Sequence, residues 1–216
     1  MTAAALLIGA VTLSAQDTEK NSHPFSISLQ GGGIVSINEN YFSYSEHGKT
    51  FDLLTPQGGI AFGYDFSPYY SARLSASYGK NAGACNTRQT DNRFYPYQFN
   101  SINVFADVIY NFTDIRSKFV PRAYIGVGGA RTFGFTDSGH PWQKVSGKNL
   151  AFGFRGGFIA QYNFTERFGL FADLCGEAYT DSYNGINPVG EVNEKGRPGF
   201  PLDMRGVLSC GLVFHF

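Results

Sequence analysis

Apolar and polar residues alternate with a period of two along most of this chain. Residues 150–164 show the pattern best. Leu150, Phe152, Phe154, Gly156, Phe158, Ala160, Tyr162 and Phe164 fall on one face, and Ala151, Gly153, Arg155, Gly157, Ile159, Gln161 and Asn163 on the other. A β-strand turns successive side chains to opposite sides, so this alternation predicts a strand with one apolar face. Residues 101–112 repeat it, with Ile102, Val104, Ala106, Val108, Tyr110 and Phe112 opposite Ser101, Asn103, Phe105, Asp107, Ile109 and Asn111. The same reading predicts eight strands, at 25–37, 55–66, 69–80, 97–112, 120–131, 148–164, 167–180 and 203–216. The last ends in "LSCGLVFHF". Leu208, Cys210, Leu212, Phe214 and Phe216 lie on its apolar face, and Val213 falls opposite them with Arg205, Ser209 and His215.

The connections alternate in length. Ser67-Pro68, 113–119 and 165–166 are short, whereas 38–54, 81–96, 132–147 and 181–202 are long. Three tetrapeptides, "YDFS" at 64–67 and "YNFT" at 110–113 and 162–165, mark the short ones. Long structureless loops are uncommon in a compact soluble domain. Short turns at one end and long loops at the other characterise barrels of the outer membrane. About 9–11 residues carry a tilted strand across a bilayer, and these runs reach that length. Aromatics form two sets. Phe66, Tyr69, Tyr70, Phe112, Phe119, Phe164, Phe168 and Phe214 lie near the short turns; Tyr41, Tyr44, Tyr78, Tyr97, Phe133, Phe135, Trp142 and Tyr179 lie toward the long loops. Two belts suit the two interfaces of a membrane. The expected fold is all-β: an eight-stranded antiparallel up-and-down transmembrane β-barrel over residues 25–216, with short periplasmic turns and long extracellular loops. A soluble ligand-binding barrel would turn its apolar face inward and need a charged exterior. The face opposite the apolar one here is built of Gly, Ser, Asn and a few charges, and the lipocalin Gly-x-Trp signature is missing near the first strand.

Composition narrows the function classes. The chain carries 27 Gly, 21 Phe and 13 Tyr, only 16% charged residues, and a formal net charge of zero. A neutral chain gives no electrostatic case for binding nucleic acid. The apolar run over 4–13, followed by Ser14, Ala15 and Gln16, has the form of a secretory signal peptide over 1–16. No Lys or Arg precedes it, so the true start is expected upstream, and its Ala-Gln ending resembles export signals of Bacteroidota. Residues 17–24 would then be a short periplasmic segment. Cys85, Cys175 and Cys210 are odd in number, none is at metal-ligand spacing, and the last two fall on opposite faces of neighbouring strands. All three are expected as free thiols.

Parity places several ionisable residues on the inner face. The acids are Asp65, Asp107, Asp173, Glu177 and Asp203, and the bases are Arg73, Arg122, Arg155 and Arg205. Charges inside a narrow barrel must pair, so this set is expected to form a salt-bridge plug. The functional readings of the same residues are a proton or ion path and a catalytic carboxylate pair. The histidines are His23, His47, His140 and His215, and none has a Ser or Asp pattern that marks a triad. No phosphate loop, HExxH or CxxC occurs, so neither a cofactor nor a metal is expected. The loop stretches "NYFSYSEHGKTF" and "NRFYPY" mix aromatics with Asn and Ser; these aromatics are expected at the headgroup level, with a surface ligand as the alternative.

With its export signal, eight amphipathic strands, alternating connections and terminal Phe216, the chain resembles the small outer-membrane β-barrel proteins: the OmpA-barrel, OmpX and OmpW-like group, and in detail the porin-family, outer-membrane β-barrel-domain proteins of Bacteroidota. The resemblance covers 25–216. It implies an outer-membrane location among lipid and lipopolysaccharide. It also implies insertion by the barrel assembly machinery, with Leu208, Cys210, Leu212, Phe214 and Phe216 as the assembly signal. Members serve as structural anchors, adhesion or defence proteins, or narrow channels. The expected function is therefore non-enzymatic, structural or cell-surface interaction. A narrow channel for small or hydrophobic solutes is the alternative. A lipid-modifying enzyme, which would draw on His47 or His140, is the remaining class.

Overall fold

The structure, a computed structural model, describes residues 23–37, 54–86, 94–137, 149–180 and 202–216. Residues 1–16, expected as a signal peptide, and His47, His140, Trp142 and most of the long connections lie outside them. The described residues form eight strands: β1 (Phe25–Ile37), β2 (Leu54–Asp65), β3 (Tyr70–Asn86), β4 (Phe94–Asn111), β5 (Phe119–Asp137), β6 (Asn149–Asn163), β7 (Phe168–Thr180) and β8 (Leu202–His215). Each strand pairs antiparallel with its neighbours in sequence, and β1 pairs with β8, so the sheet closes into an up-and-down barrel. Closure continues to the last residue. Phe216 N–H donates to Phe25 O at 2.8 Å and Phe25 N–H donates to Phe216 O at 3.2 Å. A closed sheet has no unpaired edge.

The wall sorts side chains as the period of two requires. On β6, Leu150 is 80% exposed and Phe152, Phe154 and Phe158 also face out, while Ala151, Ile159 and Gln161 are buried. On β5 and β8 the outward Ile125 and Leu208 are 74% and 62% exposed, while Tyr124, Val207 and Ser209 are buried. The apolar residues therefore clothe the outside. The interior mixes a small apolar cluster, including Ile34, Ile109, Ile159, Phe171 and Val213, with buried polar and charged groups. Side chains fill an eight-stranded barrel. This arrangement is inside-out for a water-soluble barrel and sets the lipocalin-type reading aside.

Three strands run further than the hydrophobic pattern predicts. β3 reaches Asn86 instead of 80, β4 begins at Phe94 instead of 97, and β5 reaches Asp137 instead of 131. The connections expected at 81–96 and 132–147 shrink to 87–93 and 138–148. Backbone pairing continues from Asn81↔Phe99 to Asn86↔Phe94 after the outer face has turned polar at Lys80 and Gln98. A strand that outruns the apolar zone keeps its hydrogen bonds and loses its alternation. β5 also carries a bulge opposite Gln98 and Asn100, and Gly134 there has a φ of 67°. That left-handed conformation favours glycine.

A second correction concerns the aromatic set toward the long loops. Tyr179 is 0% exposed and points inward, so it is not part of a belt. It shares parity with Asp173 and Glu177 on β7. Tyr78 is exposed and packs against Phe133, with ring centroids 6.3 Å apart. Near the short turns, Tyr69, Tyr70, Phe112, Phe119, Phe164, Phe168 and Phe214 are all exposed. Cys175 is buried and Cys210 exposed, on opposite faces of the wall, and both are free thiols. The side chain of Cys85 lies outside the described residues.

The echoing tetrapeptides close the short turns. Ser67 Oγ accepts from the N–H groups of Tyr69 and Tyr70 at 3.3 and 3.1 Å. Thr165 Oγ1 does the same for Arg167 and Phe168 at 3.2 and 3.0 Å. Thr113 Oγ1 donates instead to Phe119 O at 3.0 Å, across a wider turn. There Asp114 accepts from Arg116 N–H and pairs with its guanidinium at 3.0 Å, which holds the Asp114 carboxyl below its ordinary range. Ile115 is buried beneath this turn, and Asn163 Nδ2 donates to Ile115 O at 3.0 Å and to Ser117 O at 2.8 Å.

Candidate functional site: the interior charge row

One rung of the sheet carries most of the interior charge. Arg73 on β3 is in register with Asp107 on β4, then Gly126 on β5, Arg155 on β6, Glu177 on β7 and Arg205 on β8. Charges alternate along it, with a glycine between Asp107 and Arg155. That glycine is required by the close approach. A Cβ on Gly126 would overlap Asp107 Oδ1 and lie 2.8 Å from Ala106 O. Its absence lets Arg155 reach over β5 to the carboxylate. Arg155 Nε donates to Asp107 Oδ1 at 2.6 Å and Nη2 to Oδ2 at 2.5 Å, a bidentate contact. Arg73 Nε donates to the same Oδ2 at 2.7 Å.

The row is tied across the lumen as well as along the wall. Asp173, two inward positions closer to the short turns on β7, accepts from Arg73 Nη1 at 3.2 Å and from Tyr124 OH at 2.8 Å. Glu177 Oε2 accepts from Arg205 Nε and from Tyr179 OH, both at 2.5 Å. Glu177 Oε1 lies 3.9 Å from Arg155 Nη1, which joins the two halves. Arg205 Nη1 donates to Asn81 Oδ1 at 3.3 Å. Aromatic faces cover the guanidinium groups: Arg73 lies 4.4 Å from the Tyr124 centroid, Arg155 4.5 Å from Phe105, and Arg205 5.4 Å from Tyr179. Arg suits this role because its planar fork meets a carboxylate on one edge and stacks on a ring with its face. Arg73, Asp107, Asp173, Glu177 and Arg205 are buried.

The structure thus brings together Arg73, Asp107, Arg155, Asp173, Glu177 and Arg205. It does not bring Asp65 and Arg122 into that row. Both are buried nearer the short turns, and they form no ion pair with one another. Asp65 Oδ2 is 3.8 Å from His215 Nδ1, and His215 Nε2 is 3.3 Å from Gln161 Nε2. The side chain of Asp203 lies outside the described residues. Sequence reasoning missed Tyr124, Tyr179 and Gly126. The signal for the tyrosines was available, since each shares parity with a charged neighbour two positions away. Among the described residues, no group of three or more His, Cys, Asp or Glu is placed to hold a metal ion.

The assembly-signal residues occupy the outer surface of β8. Leu208, Cys210, Leu212 and Phe214 are exposed there. The Phe216 ring stacks on Phe25 and Phe214, at centroid distances of 6.1 and 6.2 Å.

Solved structures share this architecture. Outer membrane protein OprG of Pseudomonas aeruginosa superposes with a TM-score of 0.56 at 12% identity, covering 92% of this chain and 99% of that one. A major outer membrane protein of Thermus thermophilus gives 0.54 at 14% identity, covering 90% and 100%. The fold is that of the eight-stranded outer-membrane barrels. No family model matches the chain, and no curated protein matches it. At these identities the likeness is one of fold, and the interior chemistry of this barrel must be read from its own residues.

Proposed function

We propose that this chain is an integral, non-enzymatic outer-membrane barrel with a structural or cell-surface interaction role, its interior plugged by the charge row. The observation that carries the reading is a barrel that is apolar outside and ionically closed inside. Its strands are 12 to 19 residues long, more than a bilayer crossing needs. The exposed aromatics near the short turns suit a headgroup interface. In this reading residues 1–16 direct export, the short turns face the periplasm, and lipid and lipopolysaccharide surround the wall. The outward residues of β8 that end at Phe216 are then read by the barrel assembly machinery. The long connections at the far end are left to meet a surface ligand.

A non-enzymatic role is supported by how the carboxylates are used. Asp107 and Glu177 are bound by guanidinium groups and a tyrosine hydroxyl, so neither is poised as a general acid or base. The same contacts support a closed lumen. Reconstitution into planar bilayers tests this. The wild-type barrel is expected to give no resolved ion openings, and reproducible openings would overturn the plug in favour of the channel reading.

A further inference from the structure

Below the charge row, toward the short turns, the interior chemistry changes. The row itself is matched: Arg73, Arg155 and Arg205 are bonded directly to Asp107, Asp173 and Glu177. Arg122 is left over. It is 8% exposed, and its Nε and Nη2 have no hydrogen-bond partner among the described residues. Two unpartnered N–H groups on a buried guanidinium are costly.

Arg122 lines a cavity of about 30 Å³. Ser26, Ser28, Ser71 and Gln161 line it too and bring further donors, and Arg73 brings a second guanidinium. A wider cavity of about 410 Å³ lies at the short-turn mouth and shares the Asp65 wall with the inner one. Arg116, Lys118 and His23 line this mouth, with Glu166 as its other acid besides Asp65.

We propose that the short-turn half of the barrel is a pocket for a small oxyanion, a carboxylate or phosphate group, anchored by Arg122. The inner cavity has room for about two water-sized atoms, which is the bulk of one carboxylate edge, and the wider mouth takes the rest of the solute. The planar guanidinium presents Nε–H and one Nη2–H side by side, the pair that receives two oxyanion oxygens. Asp65 works against the anion. Its carboxylate is buried in the wall that both cavities share, so its charge repels an anion held there. Removing the Asp65 charge therefore tightens binding. Simple hydration between Arg122 and Asp65 predicts no such effect.

The test is a titration of the refolded barrel in detergent micelles, with its arginine side chains labelled with nitrogen-15. Sodium acetate and sodium phosphate are each exchanged for sodium chloride at constant ionic strength. The Arg122 Nε–H resonance is expected to shift saturably with one of the two, and the successful anion identifies the head group. Asp65→Asn is expected to bind at least about tenfold tighter, as for losing one unit charge at a few ångströms in a partly buried site. Arg122→Lys is expected to weaken binding and Arg122→Gln to abolish it, read from the remaining arginine and backbone resonances. Heat-modifiable gel migration confirms that each variant is folded, and Arg122→Lys serves if Arg122→Gln does not fold. The proposal is overturned by no saturable shift in either wild type or Asp65→Asn. Binding of wild-type strength in folded Arg122→Lys, any saturable response in folded Arg122→Gln, or binding that Asp65→Asn weakens, also overturns it.

Discussion

Gly126 decides how the interior charges connect. It stands on the rung between Asp107 and Arg155, and only the missing Cβ lets the two groups meet over the β5 backbone. Gly126→Ala would press a methyl group onto Asp107 Oδ1 and Ala106 O and push Arg155 away. We expect it to cost about 1–3 kcal/mol, the usual range for overpacking, read as a lower urea midpoint in a refolded-barrel denaturation. Gly31→Ala is the control, because a Cβ there faces outward and comes no nearer than 4.0 Å to Gln57 O. Equal midpoints for the two variants would contradict the role given to Gly126. At this scale the sequence was half legible. Period-two parity assigned the charged residues to the inner face. It could not say that Arg73 reaches Asp173, 100 positions away, or that Arg122 and Asp65 stay apart. Parity reports the side of a wall, and lumen contacts depend on register and on which side chains are long enough to cross.

The strands themselves were legible where one face is apolar. The expected 203–216 became Leu202–His215 and the expected 25–37 became Phe25–Ile37. The misjudged ends belong to β3, β4 and β5, where hydrogen-bonded pairing outlasts the alternation. The tetrapeptide repeat has a concrete meaning at this scale: its fourth residue, Ser67, Thr113 or Thr165, supplies the hydroxyl that fastens each short turn. The C-terminal strand carries the clearest element-level prediction. Phe216 adds two backbone hydrogen bonds at the seam between β8 and β1 and ring contacts with Phe25, Phe62 and Phe214. It sits at the end of a wall already closed from Ser26↔His215 to Ile37↔Met204. Deleting it should lower the yield of membrane-inserted protein in cells while leaving the urea midpoint of the refolded barrel nearly unchanged. Equal inserted yields with and without Phe216 would count against an assembly role.

For the whole molecule, the inversion of burial governs everything else. Phenylalanine, leucine and isoleucine cover the outside, and arginine, aspartate and asparagine fill the inside. An apolar surface this continuous far exceeds what a water-soluble monomer exposes. In a bilayer the same surface is solvated by lipid, and the closed sheet pairs the central stretch of each strand with both neighbours. The interior charges are then sheltered by the wall and by one another. The most direct measurement is to dilute the urea-unfolded chain, free of detergent, into phospholipid vesicles. We predict that the protein floats with the vesicles after an alkaline wash and migrates faster on a gel unheated than boiled. A folded monomer that stays in the aqueous phase without lipid or detergent would contradict the account.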